Sequence, residues 1–136
     1  MSHDNNLKSA CKGPLTRQFQ PEPVSAPAAR KFVLEAGWSQ DHEENMRLAT
    51  VVSEVVTNAI LHARTAFCVS VTVEESAIRV DVRDESADIP ILKLYDPTAA
   101  TGRGLQIINA MADRWGVTMQ PSGKTVWFEL ERASIV

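Results

Sequence analysis

LATVVSEVVTNAILH, running from Leu48 to His62, places a carboxylate, Glu54, and a carboxamide, Asn58, four residues apart. On an α-helix that spacing sets the two side chains on one face, about one turn from each other. Leu48, Val52, Val55 and Ala59 recur at the spacing of a buried stripe. The polar pair therefore lies on the flank of a helix whose other side is in the core, and such a flank can wall a ligand site. A Glu that can accept a proton, beside an Asn whose oxygen can bind a hard cation, supplies what a magnesium-nucleotide site needs. An ordinary solvated flank reads the same way in isolation, because Glu is a common helix-surface residue. The rest of the chain has to decide between them.

Outward from this stretch, Ser39 and Asp41 supply caps, and the periodicity predicts one long helix from about His42 to Ala63. Upstream, Val24 to Ala36 reads as a helix with Ala28, Phe32, Val33 and Ala36 on its apolar face, Pro27 in its first turn and Gly37 as its stop. Leu15 to Phe19 fits a short edge strand ended by Pro21 and Pro23. Residues 1–13 read as a flexible arm, and residues 14–136 as one domain. Downstream, Ala66 to Glu74 and Ala77 to Asp84 both alternate with a two-residue period and predict a hairpin. Ile78, Val80 and Val82 face in; Arg79, Asp81 and Arg83 face out.

Residues 85–101, ESADIPILKLYDPTAAT, lose all periodicity. A loop this long in a compact domain is usually a lid or a binding loop. Gly102-Arg103-Gly104 then opens an apolar-periodic helix through Leu105, Ile108, Met111 and Ala112. A glycine-rich loop leading into a helix N-terminus gathers free N–H groups that suit phosphate. Trp115 to Met119 and Lys124 to Glu131 predict a closing hairpin around Pro121-Ser122-Gly123. His62, Trp38, Trp115 and Trp127 each fall beside an apolar run and read as packing residues.

Composition narrows the function classes. The 136-residue chain has the composition of a soluble globular protein, and its formal net charge of −3 gives no basic field for duplex nucleic acid. Any role near transcription would go through protein partners. Cys11 and Cys68 match no metal-ligand spacing and read as reduced thiols, which points to the cytoplasm. No apolar run approaches the length of a signal-peptide core or a membrane span.

Four signals thus occur in order: the Glu54/Asn58 helix, a strand ending in Asp84, a lid leading to Gly102-Arg103-Gly104, and a terminal hairpin carrying Gly123-Lys124-Thr125. As an ordered set they resemble the GHKL ATPase superfamily, whose Bergerat fold is shared by gyrase and the histidine kinases. The nearest likeness is to the small anti-sigma-factor serine kinases of bacteria and their actinobacterial relatives, and it covers roughly Val24 to Leu130. The resemblance implies an α/β two-layer sandwich, with a mixed, mostly antiparallel sheet and helices on one face. It implies ATP and Mg²⁺ as cofactors, with Glu54 as base, Asn58 as magnesium ligand and Asp84 as acceptor for the adenine amino group. Gly102, Arg103, Gly104 and Leu105 would then hold phosphate, and Thr125 would lie near adenine. One departure stands out. The D-x-G-x-G pattern usual after the aspartate reads Asp84-Glu85-Ser86-Ala87-Asp88 here, with neither glycine.

The function so implied is an ATP-binding anti-sigma factor and serine/threonine protein kinase that phosphorylates an anti-sigma-factor antagonist. Its partners would be a sigma factor, the antagonist or both, with a homodimer as a further possibility. A non-catalytic ATP-binding scaffold of the same fold is the alternative, favoured by the missing glycines. A detached histidine-kinase catalytic domain fits less well, because no phosphoacceptor helix is expected ahead of the domain.

Overall fold

Val51, Val52, Val55 and Val56 each lower the intrinsic helix propensity of the stretch that carries Glu54, yet the stretch is helical because all four are buried with Leu48. Burying each such side chain is worth about 1.5–3 kcal/mol, several times the propensity it gives up. The computed structural model describes residues 15–86 and 100–132, with the backbone alone for residues 100–105. The expected arm over residues 1–13 and most of the expected lid lie outside the described residues.

The elements run β1 (Leu15–Phe19), α1 (Ser25–Leu34), α2 (His42–Asn58) with a π-helical extension Ala59–Ala63, β2 (Phe67–Val73), β3 (Ala77–Asp84), α3 (Ala100–Met111), β4 (Arg114–Gln120) and β5 (Gly123–Glu131). The strands form one sheet in the order β1-β2-β3-β5-β4. Every ladder among the described residues is antiparallel, the simpler form of the mostly antiparallel sheet expected. Val82 pairs with Val69 and Val126, and Val80 with Val71 and Phe128. With Ala29, Val33, Leu48, Val52 and Ile108 these residues make one core between the sheet and the helices, Val126 packing against it partly buried. Among the described residues no helix is long and apolar enough to cross a membrane.

Local chemistry sets the helix ends. The Asp41 carboxylate accepts from the Glu44 N–H at 2.9 Å, and Glu43 and Glu44 put negative charge in the first turn of α2, where both cap and dipole favour it. At the other end the Arg64 N–H reaches the Ala59 carbonyl at 3.2 Å, a bond across five residues that widens the last turn. Arg64 closes the turn with φ of 59°. The open face of the sheet is polar: Arg79 ion-pairs with Asp81 and Glu129 and lies over the Trp127 ring. Glu129 is held below the ordinary carboxylate range, chiefly by its hydrogen bond from Arg114.

The thiol expectation is corrected. Cys68 is disulfide-bonded, while Cys11 lies outside the described residues. Sequence spacing carries no information on whether two sulfurs can meet, since bridging depends on the distance between backbones. The cytoplasmic expectation thereby loses the support it drew from reduced cysteines.

Gly123 begins β5 hard against the end of β3. A Cβ there would stand 2.0 Å from the Asp84 carbonyl oxygen, so only glycine allows this approach. Gly123→Ala is expected to destabilise the protein by about 1–3 kcal/mol, the usual cost of overpacking. A urea midpoint unchanged by the substitution would contradict the close approach.

Candidate functional site

Alternation along β3 sends the even-numbered residues toward the helices, so Asp84 continues the buried row of Ile78, Val80 and Val82. It is a carboxylate at the end of a core face. At 1% exposure it must be paired. The partner is Lys124, itself 3% exposed, whose Nζ lies 2.9 Å from Oδ2 and 3.1 Å from Oδ1. The Ser86 backbone N–H donates to Oδ1 at 2.8 Å. Lys124 is the register partner of Asp84 across the β3–β5 ladder, so strand pairing places it there.

The same register moves Thr125 away. Thr125 pairs with Arg83 on the open face, and its hydroxyl donates to Gln120 Oε1 at 3.0 Å. Neighbouring residues on a strand point to opposite faces, so Thr125 cannot stand beside Asp84 while Lys124 does. The residue directly across the ladder from Asp84 is therefore Lys124, one position before Thr125. The signal was available in the sequence: setting Val82 against Val126 as paired core residues puts Lys124 opposite Asp84.

Glu54 and Asn58 lie in the last two turns of α2, both half-buried. Neither side chain makes a hydrogen bond or ion pair among the described residues. Partial burial alone raises the Glu54 carboxyl above its ordinary range, as expected when water is withdrawn from a charge with no compensating donor. The π-helical turn begins directly after Asn58 and packs, like α2, against β3. Phe67, the first residue of β2 after that turn, pairs with Asp84. The Glu85 N–H is held by the Thr65 hydroxyl at 3.2 Å. Asn58 and Asp84 thus belong to the same end of the domain.

The glycine motif is placed differently from expectation. Gly102, Arg103, Gly104 and Leu105 lie inside α3, which begins at Ala100, two residues ahead of Gly102. Helical bonding starts earlier than the glycines because Ala100 and Thr101 can take helical backbone themselves. The N–H of Gly102 still falls in the first turn, where donors are free, whereas those of Gly104 and Leu105 fall where N–H groups bond back four residues. The side chain of Arg103 lies outside what is described, as does the rest of the expected lid over residues 87–99.

Among the described residues no three His, Cys, Asp or Glu side chains cluster to hold a metal. The donor set fits magnesium in the way that ion is usually bound with nucleotides, through one or two protein oxygens plus phosphates and water. Asn58, half-buried at the end of α2, carries one oxygen of that kind. A separate cleft of about 830 Å³ opens at the N-terminal end of α2, lined by Trp38, Arg47, Glu131 and their neighbours. It contains none of the expected site residues.

Residues 19–130 match the family described as the histidine kinase-like ATPase domain. The fold is similar to that of the catalytic domain of histidine kinase ThkA in a nucleotide-free form, with a TM-score of 0.57 at 16% identity over 86% of this chain and 95% of that one. It is also similar to the histidine kinase domain of the blue-light activated kinase EL346 from Erythrobacter litoralis, with a TM-score of 0.52 at 19% identity over 90% of this chain and 71% of that one. At such identities the likeness speaks for the fold alone. No curated protein matches the chain.

Proposed function

Because the chain belongs to the histidine kinase-like ATPase domain family, within the GHKL superfamily, we propose that it is an ATP-binding anti-sigma factor that phosphorylates a serine of an antagonist protein. The observation that carries the transfer step is the state of Glu54. It is half-buried, bonded to no group among the described residues, raised above the ordinary carboxylate range, and one turn from Asn58 on the family's signature helix. A general base works best when its pKa lies nearer the operating pH than that of a free carboxylate.

In the proposed reaction Asp84 accepts a hydrogen bond from the adenine amino group, and the first free N–H groups of α3 hold phosphate oxygens. Asn58 would hold magnesium, which neutralises phosphate charge when bound. The serine hydroxyl oxygen of the antagonist forms a bond to the γ-phosphorus as the bond to the β,γ-bridging oxygen breaks. ADP leaves, and the serine proton passes to the Glu54 carboxylate. The sigma factor and antagonist would dock outside the pocket, in the cytoplasm, with a homodimer as the working assembly.

The non-catalytic scaffold stays as the second reading on two observations. Ser86 and Asp88 stand after Asp84 where the superfamily pattern has its two glycines, and Gly104 and Leu105 are taken up in α3. Capture of partners from a lysate with and without magnesium-ATP, followed by mass spectrometry, separates the two. The kinase reading expects phosphoserine on a captured partner only with ATP. Partner capture with no phosphate on any captured protein would give the scaffold reading the field.

A further inference from the structure

We propose that Lys124 is the second base-reading residue of the nucleotide site, donating from its ammonium to N1 of adenine while Asp84 accepts from the 6-amino group. This rests on the reading of Asp84 given above and adds a residue that reading does not contain. The argument starts from what the buried pair leaves unused. An ammonium has three donors, and among the described residues the contacts of Lys124 are the two to Asp84 Oδ1 and Oδ2. One donor remains.

The carboxylate has two acceptor positions on each oxygen. Among the described residues Oδ1 takes the Ser86 N–H and Lys124, whereas Oδ2 takes Lys124 alone. One acceptor position on Oδ2 remains. The pair therefore presents one spare acceptor and one spare donor side by side, on side chains more than nine-tenths buried.

The edge of adenine carries the complement: a donor on the 6-amino group and an acceptor at N1. Hypoxanthine and guanine carry the reverse, an acceptor at O6 and a donor at N1. In the same pose they would set oxygen against carboxylate and N–H against ammonium, and buried polar groups left mismatched are what a site rejects most strongly. Asp84 alone opposes only one of the two reversed groups. With Lys124 the site opposes both.

A lysine that merely neutralised Asp84 would account for the ion pair equally well, so the test must read an atom of the ligand. Calorimetric titration of the whole chain compares ATP with 1-deaza-ATP, in which N1 is replaced by C–H. A hydrogen bond to a charged group corresponds to about ten- to a hundredfold in affinity, so wild type is expected to bind the deaza nucleotide weaker by that factor. Lys124→Met is expected to bind the two alike. If that variant fails to fold, the wild-type comparison decides unaided. Equal affinities for the two nucleotides in wild type, with ATP binding intact and dependent on Asp84, would overturn the role of Lys124 and leave the ATP reading standing. No ATP binding in wild type would overturn both.

Discussion

Glu54→Gln is expected to keep magnesium-ATP binding and to lower the proposed phosphoryl transfer by about two to four orders of magnitude, the usual consequence of removing a general base. Gln is isosteric and a good helix former, and the side chain it replaces bonds to nothing among the described residues, so α2 should be undisturbed. Asn58→Ala should fail differently, losing the magnesium dependence of ATP binding before any question of transfer arises. The pH profile gives a further check. Burial raises the Glu54 carboxyl, and the base must be ionised to take a proton. The acid limb of the rate should therefore lie above the ordinary carboxylate range, activity falling as pH drops through the raised value. Transfer by Glu54→Gln at the wild-type rate would remove the base assignment even from an active kinase.

Asp84→Ala is expected to do two things at once, because the carboxylate belongs both to the core and to the proposed site. Truncation leaves the Lys124 ammonium 3% exposed with no partner. Breaking one side of a buried ion pair typically costs about 3–5 kcal/mol, a large share of the stability of a domain this size. Denaturant melts should show this as a midpoint lowered without ATP present. The double substitution Asp84→Ala with Lys124→Met should recover much of it, since removing both charges avoids the stranded ammonium. A single Asp84→Ala variant as stable as wild type would mean that the pair is not buried in solution.

Much of this was legible in the residues. The alternation in β2 and β3 set the hairpin, its inner face and the position of Asp84. The stripe through Leu48, Val52 and Val55 set the long helix and put Glu54 and Asn58 on its flank. What was not legible depended on register and on distance. The resemblance to a motif names Thr125, and a shift of one residue along a strand exchanges the two faces of a sheet; only the register shows that the residue beside Asp84 is Lys124. The start of α3 was set at Gly102 because glycine commonly marks a helix boundary, whereas Ala100 and Thr101 are compatible with helix and extend it. The π-helical turn after Asn58 has no periodic signature over five residues. The bond at Cys68 is a matter of proximity, on which spacing is silent.

Binding of adenine nucleotide at this end of the domain through Asp84 is open to a single titration. Magnesium-ATP is added by calorimetry to wild type and to Asp84→Asn, with both proteins first shown to be folded at the working temperature. Asn keeps the shape of the side chain but carries no charge to draw the amino group. Saturable binding to wild type is expected, with an affinity about ten- to a hundredfold weaker in Asp84→Asn. Equal affinities in the two proteins, or no binding to wild type, would contradict it.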